Sequence, residues 1–146
     1  MTHLHHSAIV VTDLEASLRF WRDGMGLEQV MDHTFDGAWR ALFDARADRL
    51  RSVFLGDPAR PDSGIVELVV FDGGSDPAPT AGPPAAGFFL LSFFVDVDAV
   101  LDRLRAVGLG GEPRRISVPA PNGAVAMATV RDPDGVLVEL IAATPP

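Results

Sequence analysis

The chain reads as an α+β protein in which one β-α-β-β-β unit is used twice. The two copies are expected to form a cupped, mostly antiparallel mixed sheet around a central cavity. Three observations predict this. An offset of 84 residues lays His6 on Leu90, Val11 on Val95 and Gly24 on Gly108. In each copy, a run rich in β-branched or aromatic residues gives way to apolar residues at helical spacing, which marks a strand followed by a helix. Between the copies, residues 72–87 are mostly Gly, Pro, Ala and Asp, with too little apolar surface to offset their ordering entropy. The chain of 146 residues is therefore a single domain, with module one at 4–71, a linker at 72–87 and module two at 88–142; neither module is long enough for a sizeable core of its own.

Module one opens with the strand pattern Leu4–Val11. Thr12 and Glu15 fit a capping box, and Leu14, Leu18, Trp21 and Met25 recur on one helical face until Gly24 and Gly26 supply a stop signal. Further strands are expected at Glu28–Thr34, Arg51–Leu55 and Ile65–Phe71. The intervening Gly37–Leu50 is partly helical in pattern and has no counterpart in module two. There the first strand is expected at Phe88–Val95. A helix follows from Asp96 or Asp98, carrying Val97, Val100, Leu101, Leu104 and Val107 and ending at Gly108. Strands at Glu112–Val118, Ala124–Arg131 and Val136–Ala142 complete it. Pro121-Asn122-Gly123 and Asp132-Pro133-Asp134-Gly135 are turn signals, because Asn and Gly tolerate positive φ.

Composition narrows the function. There is no cysteine, so disulfides, thiol nucleophiles and thiolate metal centres are excluded. A net charge of −8 argues against nucleic acid, whose binding needs a basic face. No apolar run is long enough for a membrane span, and the N-terminus lacks a signal-peptide pattern. A soluble, cytoplasmic protein with a small-molecule substrate or ligand is expected, and a homodimer is compatible with the sequence.

Alternation supplies candidate site residues. His6, Ala8 and Val10 share one strand face, and Glu67 and Glu139 are each the lone charge in an apolar strand. A carboxylate in such a place finds a cation, takes up a proton, binds metal or faces water at a sheet edge. Leu90, Phe94, Phe35, Trp39 and Met127 are candidates for an apolar pocket, although core packing accounts for such residues equally well.

The opening His6 strand with Thr12–Trp21 and Gly26-Leu27, and the closing run Arg131–Leu140, resemble the vicinal oxygen chelate superfamily. That group includes glyoxalase I, bleomycin-resistance proteins and extradiol dioxygenases. The resemblance implies the glyoxalase-like fold and a metal set of His6, Glu67 and Glu139 for Mg, Mn, Fe, Ni or Zn. Glu67 and Glu139 are also the catalytic candidates, either of which would shuttle the proton. The fourth ligand position of the family, usually His, is Leu90 here, which disfavours a dioxygenase because its iron site needs two histidines. Three functions follow as expectations. One is a metal-assisted lyase or isomerase acting through a metal-stabilised enolate. The second is a metal-free binding protein that sequesters an antibiotic or biosynthetic intermediate. The third is a metal-free acid/base enzyme of secondary metabolism. Glutathione fits poorly as a co-substrate, since the arginines are not grouped with the proposed ligands.

Overall fold

The computed structural model describes residues 1–79 and 82–143. Thr80 and Ala81 of the expected linker, and residues 144–146 of the tail, lie outside them. Module one contains β1 (His6–Val10), α1 (Leu14–Leu18) continuing as a π-helical stretch over Arg19–Gly24, β2 (Glu28–Asp36), α2 (Trp39–Phe43), β3 (Arg49–Gly56) and β4 (Ile65–Phe71). Module two contains β5 (Leu91–Val95), α3 (Val97–Ala106), β6 (Arg114–Ala120), β7 (Gly123–Arg131) and β8 (Leu137–Ala142). The duplicated plan expected from the sequence is present. The sheet is not continuous, however. Hydrogen bonding closes two separate four-stranded sheets, β1-β4-β3-β2 and β5-β8-β7-β6, each with one parallel pair and two antiparallel pairs. Alternation along a strand assigns faces but does not say which faces oppose one another, which is why the sequence suggested one central cavity.

One face of each sheet packs on the helices and shares a single core. Ile9, Val11, Leu55 and Leu68 from the first sheet meet Phe20 and Trp21 from the helical stretch, with Val100, Leu104, Val138 and Leu140 from module two. The seam is tight. A Cβ on Gly24 would lie 2.2 Å from the Leu104 side chain, so only glycine lets the π-helical stretch and α3 approach this closely. Gly24 is thus a packing residue, and the turn that ends the helix falls to Gly26 at φ 84°. Arg103 Nε donates to the Gly24 carbonyl (2.9 Å), adding a polar tie at the same crossing.

The helix starts also differ in detail from expectation. Asp13, not Thr12, caps α1, its side chain accepting from Ala16 N–H at 3.1 Å. Thr12 Oγ1 instead donates to Asp134 at 2.7 Å, tying the modules together. Asp96 caps α3 in the same way as Asp13 caps α1. Close by, the buried Asp132 accepts from Trp21 Nε1 (3.2 Å) and from the backbone N–H groups of Asp134 and Val136 (2.9 and 2.8 Å). Burial pushes its carboxyl above the usual aspartate range. No helix among the described residues is long and apolar enough to cross a membrane.

Candidate functional site

The face of the first sheet turned away from the core forms the floor of a cavity. Strand register places its side chains in rows: Ala8, Glu67, Phe54 and Met31 in one, Val10, Val69 and Ser52 in the next, and Phe71, Leu50 and Phe35 in a third. Helix α2 and the segment after it, Asp44–Arg46, supply the wall. The resulting cavity has a volume of about 790 Å³, within the range of roughly 300–1,000 Å³ that holds a drug-sized ligand. Gly74 and Ser75 also line it. The start of the expected linker is therefore part of the cavity mouth.

The wall is set by Gly37. A Cβ there would lie 2.8 Å from the indole of Trp39, so glycine admits the ring against the backbone. Trp39 Nε1 donates to the Phe35 carbonyl (3.3 Å), and its ring lies parallel to Phe43, 5.7 Å apart with an interplanar angle of 9°. Two contacts thus hold one aromatic plate in place.

The polar end of the cavity is small. Glu67 Oε1 lies 3.6 Å from His6 Nε2, with side-chain exposures of 16% and 38%. That is an ion-pair separation rather than a hydrogen bond. The other carboxylate oxygen, Oε2, accepts from Ser52 Oγ at 2.5 Å. His6 Nδ1 shares a hydrogen bond of 2.7 Å with His5 Nδ1. One ring donates and the other accepts, which fixes the His6 plane while leaving Nε2 directed toward Glu67. The site therefore offers one carboxylate, held by a serine hydroxyl, beside one imidazole. A carboxylate held in this way beside an imidazole can accept a proton and return it.

The residues singled out from the sequence divide between the two sheets. His6, Glu67, Phe35 and Trp39 line the cavity of the first sheet. Glu139, Phe94 and Met127 sit on the second, where Phe94, Ile141, Met127 and Ile116 form one cross-strand row. Leu90 lies just before β5. None of these module-two residues lines the cavity, because the two sheets turn their helix-covered faces toward the common core. Glu139 accepts instead from Ser92 Oγ at 2.8 Å. Among the described residues, no three histidine, aspartate or glutamate side chains gather closely enough to hold a metal ion. His33, on the second strand, is exposed and packs edge-on against Phe35 (4.6 Å) without lining the cavity.

Ser52 and Phe54 were not singled out from the sequence, nor were Phe43 and Met31. The signal for the first two was present. Leu50, Ser52 and Phe54 alternate along a strand that pairs with the one carrying Glu67, and a serine in that apolar row needs a partner. Phe43 looks like an ordinary core residue in the sequence, and only the geometry of α2 distinguishes it; Met31 alternates with Phe35 along β2, so strand periodicity did carry its signal.

Comparison with known proteins agrees with this architecture. Residues 3–140 match the Glyoxalase/Bleomycin resistance protein/Dioxygenase superfamily. The chain is 36% identical over 145 residues to a lactoylglutathione lyase-like protein, terB, of Aspergillus terreus, an alignment covering 94% of this chain and 74% of the relative. Among solved structures, a glyoxalase family protein of Bacillus cereus superposes with a TM-score of 0.73 at 20% identity, covering 97% of this chain and 94% of that one. The trypanothione-dependent glyoxalase I of Leishmania major gives 0.63 at 23% identity, covering 97% and 87%. At these identities the structural likeness is one of fold.

Proposed function

We propose, from the premise that this chain belongs to the Glyoxalase/Bleomycin resistance protein/Dioxygenase superfamily, that it is an acid/base enzyme of the lyase or isomerase kind. Its substrate is a small carbonyl compound, and its reacting end is the pair His6 and Glu67. The observation that carries this is the half-buried Glu67 carboxylate, oriented by Ser52 on one oxygen and facing His6 with the other. The lyase-like name of the Aspergillus relative supports the same reaction class.

In this proposal Glu67 takes a proton from the carbon next to the substrate carbonyl. The electron pair moves onto the carbonyl oxygen, and His6 Nε2, when protonated, donates to that oxygen as charge develops. Return of the proton to a different carbon or face completes an isomerisation; loss of a group one carbon further on completes an elimination. Ser52 holds Glu67 in place and so limits reorganisation during the transfer.

Divalent metals are typical of the superfamily, but the donors that converge within one chain are two, where the sequence led us to expect three. An imidazole and a carboxylate already bonded to a serine do not make a complete ligand set, so no step is derived through a metal. A second reading keeps the metal and a homodimer together. Glu139 occupies the strand position in module two that Glu67 occupies in module one, on an uncovered face, so a second copy could present it to His6 and Glu67.

The test is exchange of the α-protons of β-tetralone for deuterium, followed by NMR in D2O. Exchange above the buffer rate, unchanged by EDTA and reduced about 100-fold in Glu67→Gln, is the expected result. Exchange abolished by EDTA and restored by one of Mg, Mn, Fe, Ni or Zn, in a protein that elutes as a dimer, moves the assignment to the metal-assisted reading. A rate equal to that of buffer overturns both.

A further inference from the structure

We infer that the cavity is built for a neutral, flat, polycyclic aromatic molecule carrying a hydroxyl or carbonyl at one edge. This deepens the proposed function by naming its substrate class, and for the reacting edge it rests on the assignment of His6 and Glu67. Three independent features of the cavity lead here.

The first is its lining. Phe35, Trp39, Phe43, Phe54 and Phe71 surround the space, with Met31 beside them. Flat aromatic ligands gain a ring-on-ring attraction beyond area burial alone, which aliphatic ligands do not. Methionine adds an adaptable, polarisable contact to ring edges.

The second is rigidity. The Trp39 plate is held by the Phe35 carbonyl and by the absence of a side chain on Gly37, and it is parallel to Phe43. A pre-set aromatic plane costs a ligand little ordering entropy when it stacks. A site for a flexible chain would gain nothing from that arrangement.

The third is charge. Among the described residues the lining holds one arginine, Arg46, which pairs at the exposed rim with Asp76 at 2.8 Å. Two carboxylates, Asp44 and Glu67, also line the cavity. Among the described residues, a polyanionic ligand such as a glutathione conjugate would meet two lining carboxylates against a single rim arginine that already has an acidic partner. A neutral ligand meets no such penalty, and its one polar edge has a matching polar end at His6, Glu67 and Ser52.

Danthron, a neutral dihydroxyanthraquinone, is the probe. Equilibrium dialysis against the intact chain should give a micromolar dissociation constant, and titration should quench Trp39 fluorescence. Trp39→Phe should keep the affinity and lose the quenching, since Trp21 is remote in the core. Trp39→Ala and Phe43→Leu should each weaken binding about tenfold, the affinity equivalent of about 1.4 kcal/mol, with the circular dichroism spectrum unchanged. Dodecanol and S-hexylglutathione should displace danthron at least about tenfold less well than unlabelled danthron itself. Displacement by S-hexylglutathione or dodecanol at equal or lower concentration overturns the aromatic assignment, as does unchanged affinity in both Trp39→Ala and Phe43→Leu. The two proposals separate cleanly: danthron binding without β-tetralone exchange removes the role of Glu67 and leaves the ligand class standing. Exchange with S-hexylglutathione as the stronger ligand does the reverse.

Discussion

The two sheets have the same strand order and the same lone glutamate on the last strand, yet among the described residues the large cavity that contains that glutamate is built on the first. On the first, the face away from the core is roofed by α2 and Asp44–Arg46. On the second, the equivalent face is open: β6 leads into β7 through a tight turn at residues 121–122 with no helix between them, and Phe94 and Ile116 are 77% and 63% exposed. The difference traces to Gly37–Leu50, the segment that module two lacks. Two copies of one frame thus differ in a single segment between two strands, and the large pocket lies on the side that has it. Shielding tracks that roof: Glu67 is covered beside His6, whereas Glu139 faces outward with Ser92.

The largest effect should come from exchanging the two glutamates' fates. Glu67→Gln is expected to lower proton exchange about 100-fold and Glu139→Gln to leave it within about threefold. Equal losses in both variants, read by the same NMR assay, would mean that the second sheet takes part in the site.

Next is the seam that makes the modules one body. Asp132→Ala strips the acceptor from Trp21 Nε1 and from two backbone N–H groups, and each buried donor left without a partner costs about 1–3 kcal/mol. Urea denaturation should show a loss of about 2–3 kcal/mol, at the low end for three donors because water can reach the turn. Gly24→Ala should cost about 1–3 kcal/mol, as overpacking against Leu104 does in a filled core. A single cooperative transition in both variants is expected; separate melting of the modules would show that the shared core does not couple them.

A smaller effect separates the two apolar faces. Trp39→Ala should weaken ligand binding about tenfold, and Phe94→Ala should not change it measurably. Equilibrium dialysis distinguishes them.

The smallest effect concerns pH. Burial holds the Asp132 carboxyl above the ordinary aspartate value, so the folded chain binds that proton more tightly than the unfolded one. Stability from this group improves as pH falls through the window between the raised value and about 3.9. Asp32 and Asp23 act in the opposite sense. Hydrogen bonds from Arg51 and Arg22 hold them below the usual range, and their contributions are lost only below about 3.9. Urea midpoints measured from about pH 7 down to about pH 4 should rise for the wild type relative to Asp132→Asn. A constant difference would mean that Asp132 is not perturbed by burial.

Much of this was legible in the sequence, for a physical reason. Periodicity reports which side of an element meets apolar surroundings, so the repeat, the strand face bearing His6 and the two isolated glutamates all followed from alternation. What alternation cannot report is how two sheets turn relative to each other. Hence Phe94, Met127 and Glu139 were grouped with a cavity from which the shared core separates them. Local patterns were also ambiguous where a tertiary partner competes. Thr12 fits a capping box, but Asp134 takes its hydroxyl and Asp13 does the capping. Gly24 looks like a helix stop, while its position is dictated by Leu104 across the seam.

The pairing of β1 with β4 has a consequence for how the chain matures. These strands run parallel, joining His6 to Ile65 and Val10 to Val69, so on the ribosome the N-terminal strand must wait until its whole module has emerged before it has anything to pair with. Non-local closure of that kind is slow and comes late. His6 and Glu67 sit on those two strands, so the pair proposed to react is brought together by the closing event itself. A nascent or partly unfolded chain would carry only fragments of the proposed site, so the proposed proton exchange would report directly on completed assembly.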